Sequence, residues 1–203
     1  MPPKGERRKK QIIDTAKEMF IEKGFQSTHI GQVCEKLNIA RGTVYQYFSN
    51  KKEILYALLD SVLERVEDAL DYDDLTEFFD KNPSQEQILE FSSRRIKACI
   101  SILTDEPIVM KLIYKQIAGI DEEVIERVNG TVAKVQSLVT IDIKFLVEKG
   151  FYNSDLNSSI SASVLVGALM YLIFEYDSKG KNILENGVIE EIGKIYLNGV
   201  LKC

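Results

Sequence analysis

The chain has 203 residues, 45% of them hydrophobic and 28% charged, with a formal net charge of −5. That composition excludes a disordered or low-complexity polymer and supplies enough apolar chain to bury a sizeable core, in one large domain or two small ones. The charge is unevenly placed: residues 1–52 hold eleven Lys and Arg against five Asp and Glu, a net of +6, and the remainder carries −11.

Apolar residues recur at helical spacing almost throughout and long alternating runs are missing, which predicts an all-α fold. In the first helix Ile12, Ile13, Ala16, Met19 and Phe20 make one apolar stripe, and Gly24 is placed as its C-cap. Thr28 is a suitable N-cap for a short second helix whose buried face is Val33, Cys34 and Leu37. A turn at Asn38-Ile39 leads into a third helix over 40–48. Asn50 then caps a fourth, with Glu53 in the capping-box position, and this helix continues through Val66. Residues 71–83 are polar and acidic and read as a break. Further helices are predicted at 84–103, 107–118, 121–149, 156–176 and 185–200, separated at Pro107, Gly119, Gly150 and the Ser178-Lys179-Gly180-Lys181-Asn182 turn. The expected organisation is a three-helix head over residues 1–52 with a helix-turn-helix, and a helical body over 53–203.

The basic head on an acidic body makes a polarised molecule with one part fit for phosphates; a merely solvated basic terminus gives the same charge count. Three scattered cysteines, Cys34, Cys99 and Cys203, have neither pairing pattern nor metal-ligand spacing, which suggests reduced thiols and a cytoplasmic location. The N-terminus leads straight into an amphipathic pattern, so no secretory leader is expected. Only 164–174 is densely apolar, too short to span a bilayer, so it reads as a buried helix and no membrane partner is expected. No Gly-rich phosphate loop, Ser/His/Asp or Cys/His arrangement or metal quartet is present, so neither an enzyme nor a cofactor is expected.

Residues 28–55 are the informative segment. Two short helices are joined by a tight turn, and the second has a face of small and polar residues unlike a core face. A recognition helix needs residues at its N-terminal end that approach the major groove closely and reach base edges. Arg41 offers a bidentate donor, Gly42 has no side-chain bulk, and Thr43 carries a hydroxyl and a methyl. Tyr45 and Tyr47 can donate phenolic hydroxyls, and Lys51 stands at the start of the fourth helix, where its ammonium can meet a phosphate. Val44 and Phe48 point to the head's core. The alternative is that Tyr45, Tyr47 and Phe48 form an ordinary aromatic core cluster.

Gly24-Phe25, Thr28, Gly42-Thr43-Val44-Tyr45-Gln46-Tyr47-Phe48, Lys51 and Leu55 together resemble the tetracycline-repressor (TetR) family of regulators, over roughly residues 8 to 60. The resemblance implies a repressor that binds double-stranded operator DNA and is released by a small-molecule effector. It implies phosphate contacts at Thr28, Tyr47 and Lys51 and a groove-facing set of Arg41, Gly42, Thr43, Tyr45 and Gln46. His29, the single histidine, falls near the expected DNA backbone. Three departures stand out. Val33-Cys34 replaces the usual Ile-Ala and Asn38 a frequent glycine, which Asn's tolerance of the left-handed region allows. Ala40 replaces a capping serine, a loss of about 1 kcal/mol.

One head covers half an operator, so a twofold homodimer is expected, built by the last two helices as a four-helix bundle. Ser161, Gly167 and Ala168 permit close approach, and Val164, Leu165, Leu172, Ile192, Ile195 and Tyr196 supply apolar area. Candidates for an effector pocket are Phe91, Arg94, Met110, Ile113, Tyr114, Phe145, Met170, Tyr171 and Phe174, of a type equally at home in plain core. Arg94 or its neighbour Arg95 would meet an anionic group; adjacent helical residues diverge by about 100°, so at most one does. An all-α interaction module without ligand, or a regulator whose body serves only dimerisation, remains the alternative.

Overall fold

The computed structural model describes residues 3–114, 121–185 and 187–200. Among the described residues there are ten helices and no strand: α1 Lys4–Lys23, α2 Ile30–Leu37, α3 Arg41–Tyr45, α4 Lys51–Ala69, α5 Tyr72–Asp80, α6 Gln85–Thr104, α7 Pro107–Ile113, α8 Glu122–Glu148, α9 Ser158–Ser178 and α10 Val188–Val200. Cys203, the predicted break at Gly119 and the predicted helical residues 115–118 lie outside the described residues. The chain forms two compact units, one of Met1–Val62 with Glu106–Thr131 and one of Leu63–Asp105 with Val132–Cys203.

In the first unit the apolar stripe of α1 buries Ile12, Ala16, Met19 and Phe20, and α1 packs on α2 and α7. Gly24 ends α1 at φ 84°, a conformation a side chain resists, and its N–H returns to the Phe20 carbonyl. Phe25 then turns inward, its ring edge-on to Phe20 at 5.1 Å. Val33 and Cys34 of α2, Val44 of α3, Phe48, and Ile54, Leu55, Leu58 and Leu59 of α4 are all buried. Asn50 caps α4 by accepting the Glu53 N–H, while the Glu53 carboxylate accepts the N–H of Ser49, one residue earlier than the expected box. Met110 is buried in this unit, where α7 also places Ile113 and Tyr114 half-buried. Lys52 at the start of α4 bridges Asp121 at 2.6 Å and Glu123 at 2.7 Å, and Arg127 of α8 pairs with Asp60.

The second unit contains a helix that the acidic composition of 71–83 conceals. Asp71 caps α5 by accepting the Asp73 N–H at 2.8 Å, and Leu75 and Phe79, four residues apart, share its buried face. They join Ile88, Phe91, Ile143, Phe145, Leu146, Tyr152 and Ala162 in one core. Phe78 stacks on Phe91 at 4.0 Å, and Phe79 meets Phe91, Phe145 and Phe151 edge-on. Inside this unit Arg95 of α6 pairs with Asp142 of α8 at 2.6 Å, both side chains largely withdrawn from water. Arg94, by contrast, is exposed and reaches Asp74 at 3.3 Å. The inward member of the two arginines is therefore Arg95, because the Phe91 face of α6 turns toward the core at 95 and away at 94. Burial pushes the thiol of the neighbouring Cys99 up to about 11.

α9 departs from the expected buried helix. Ser161, Ala162 and Ile173 are its buried residues, while Ile160, Val164 and Tyr171 are more than half exposed, with Gly167 and Ala168 open beside them. Apolar residues encircle this helix, so the side that meets α6 leaves an equally apolar side uncovered. By length and composition it is also long and apolar enough to cross a membrane. Ser161, expected at a partner, instead packs within its own chain, and Tyr171, expected in a pocket, points outward at 56% exposure. Leu165, Met170, Leu172 and Phe174 are half-buried. On α10, Ile195 is 69% exposed and Ile192 half-buried, while Tyr196 packs against the core with its hydroxyl buried.

Candidate nucleic-acid interface

The helix-turn-helix is made by a sharp turn at Asn38, which takes the left-handed conformation (φ 51°, ψ 51°) that asparagine tolerates better than most residues. Its N–H satisfies carbonyls of Cys34 and Glu35, so the end of α2 is capped from the backbone. Ala40 then occupies the N-cap of α3 with extended dihedrals and no side-chain hydrogen bond, as its lack of a polar group dictates. Regular α3 is short, and successive turns through Tyr47 and Phe48 extend it to the predicted end, where Tyr47 and Phe48 donate to the Val44 carbonyl. Val44 and Phe48, at 0% and 3% exposure, are the two anchors that hold this segment on the core.

The opposite face is open. Arg41, Gly42, Tyr45 and Gln46 are exposed, Thr43 is half-buried, and a Cβ on Gly42 would meet nothing within 4 Å. Tyr45, at 54% exposure, does not belong to a buried aromatic core. Tyr47 is half-buried, its hydroxyl 3.7 Å from where a Cβ of Gly5 would stand, at the basic start of α1. His29 is the exposed N-cap of α2, and its N–H donates to the side chain of Gln32. Arg41, Tyr45, His29, Gly31, Gln32, Glu35, Asn50 and Lys51 line one concavity of about 470 Å³. Gly31, Gln32 and Asn50 carried no sign of this in the linear sequence beyond their helix-start positions. Glu35 is an acidic member of an otherwise basic surface.

Two residues expected on DNA have other duties. Thr28 is 1% exposed, and its hydroxyl donates to the carbonyls of Gly24 at 2.9 Å and Met19 at 3.3 Å, closing the C-terminal end of α1. Lys51 directs its ammonium at the carbonyls of Phe25, Gln26 and Thr28, at 2.8, 2.9 and 3.3 Å, over the Phe25 ring. An ammonium has three protons, and all are engaged. Partial burial holds its pKa below the ordinary lysine value. In this conformation Thr28 and Lys51 fasten the loop before α2 and are not free phosphate ligands.

Residues 12–58 match the family model described as bacterial regulatory proteins, tetR family. The chain is 39% identical over 62 residues to the HTH-type transcriptional regulator HbdR of Aromatoleum sp. (strain CIB), covering 30% of this chain and 27% of that one. It is 36% identical over 62 residues to the fatty acid metabolism regulator protein of Bacillus subtilis (strain 168), covering 29% and 32%. The matches thus span about a third or less of these relatives' length. The fold as a whole is similar to that of the fatty acid degradation regulator FadR from Bacillus halodurans, with a TM-score of 0.75 over 95% of each chain and 18% identity. The all-α architecture is therefore shared with that structure over 95% of the chain, and residues 12–58, which hold the helix-turn-helix, match the tetR family of bacterial regulatory proteins.

Proposed function

We propose that this chain is a sequence-specific DNA-binding transcriptional regulator, of the repressor type, that acts as a cytoplasmic homodimer and leaves its operator when a small, largely apolar effector binds its body. The observation that carries the reading is the face of α3: Val44 and Phe48 bury one side, while Arg41, Gly42, Tyr45 and Gln46 present donors and open space on the other. A helix meant only to fill a core has no reason to expose that set. Arg41, Gly42, Thr43, Tyr45 and Gln46 face the major groove, with Tyr47 and His29 toward the phosphates.

A second copy covers the exposed stripe of α9. Ile160, Val164, Gly167, Ala168 and Tyr171 recur on one helical face, with two small residues at its centre where backbones approach closely. Ile195 of α10 extends the apolar surface. The effector acts by linkage: a molecule that binds one conformation of the body better lowers operator affinity in proportion, and a coupling of about 2 kcal/mol changes it roughly thirtyfold. The half-buried Met170 and Phe174 and the aromatic cluster around Phe91 and Phe145 offer it apolar lining.

A labelled fragment from the region upstream of the protein's own gene tests the reading by fluorescence anisotropy. Specific binding that weakens steeply with salt is expected. A folded dimer that binds no upstream fragment at low salt overturns it.

A further inference from the structure

We infer that Gly31 is a specificity-determining position, acting as the seat that orients the guanidinium of Arg41. The inference rests on the DNA-binding reading and adds to it a residue that touches no base itself. A Cβ built on Gly31 would stand 3.0 Å from Arg41 Nη2, 3.5 Å from Cζ and 3.6 Å from Nε. Three atoms of one planar group at these distances put the guanidinium directly beside Gly31 of α2. A Cβ there is closer than an ordinary contact, so the guanidinium would have to give way by a few tenths of an ångström. Gly42, at the same end of the motif, has nothing within 4 Å, so the two glycines serve different ends. Gly42 clears a path outward, and Gly31 admits a side chain inward.

The consequence is pre-organisation. Arg41 is exposed and otherwise free to sample many rotamers, and a long side chain that reads a base gives up that freedom on binding. Seated on Gly31, at the rim of the concavity shared with Gln32, Tyr45 and Asn50, its donor fork is placed before DNA arrives. A methyl group at 31 displaces the fork without touching the core, because the obstructed atoms are the far end of a flexible side chain.

Gly31→Ala, Arg41→Ala and the double variant test this by operator and non-specific DNA titrations. Alanine is favoured over glycine inside a helix, so Gly31→Ala keeps its fold. The ratio of operator to non-specific affinity should fall about tenfold in Gly31→Ala, the scale of one lost bidentate base contact. The salt slope should stay unchanged, and Gly31→Ala should do nothing further once Arg41 is alanine. An unchanged ratio in Gly31→Ala, or the same loss in the Arg41→Ala background, overturns the seat. A wild-type protein that does not discriminate its operator overturns the DNA-binding reading instead.

Discussion

Lys51 holds Phe25 in two ways: its ammonium donates to the Phe25 carbonyl at 2.8 Å and lies 4.7 Å from the centroid of the same residue's ring. One side chain at the start of α4 thereby ties down the loop between α1 and α2. The Phe25 ring is in turn locked against Phe20, so the position of α2 depends on this clasp.

Lys51→Met, which keeps the apolar stem and removes the charge, should lower stability by about 2 kcal/mol, from lost charge-assisted hydrogen bonds and the cation–π contact. Denaturant titration checks this. Because the ammonium is engaged internally, the salt slope of DNA binding should be unchanged, whereas loss of a phosphate ligand would reduce it by about 0.9.

Ala40→Ser should stabilise the head by about 1 kcal/mol. The backbone at 40 already has the extended dihedrals of an N-cap, with φ −67° and ψ 146°, and lacks only the oxygen. A melting temperature equal to or below that of the wild type would show that the α3 amides are already satisfied.

Asp142→Ala should cost about 3 kcal/mol, since it leaves the Arg95 guanidinium buried without its counter-charge. Replacing both, as Arg95→Met with Asp142→Leu, should recover most of that loss. Chemical denaturation of the wild type and the two variants decides it; equal losses in the single and double variants would mean that packing, not charge, carries the effect.

Val164→Lys places a charge in the middle of the exposed α9 stripe, where the side chain is 60% exposed in one protomer. The protomer should fold normally and the dimer should dissociate, read as a halved mass by light scattering. Operator affinity should drop at least tenfold with it, since a single head holds half a site. An intact dimer would place the twofold contact elsewhere.

How much was legible beforehand differs by element. Spacing alone marked α1, α2, α4, α6, α8, α9 and α10 to within a few residues, because a 3.6-residue period is a local property. α5 escaped because its acidic residues dominate the composition, while Leu75 and Phe79 state the period only twice in a nine-residue helix. α9 was legible as a helix but not in its exposure. An apolar residue does not declare which side of its helix a neighbour covers.

Residues 28–48 show the same division. Local sequence sufficed for the helix-turn-helix, the turn at Asn38-Ile39 and the inward side of Val44 and Phe48, while the family resemblance drew out the left-handed residue at Asn38 and the missing cap at Ala40. The first three follow from backbone preference and periodicity within a few residues. That Thr28 and Lys51 bind carbonyls, that Arg95 and not Arg94 turns inward, and that Arg41 sits beside Gly31 emerges from the fold alone. Each of those depends on which donors and acceptors segments distant in sequence bring together. A lysine's charge is written in its codon; its partner is settled by the fold.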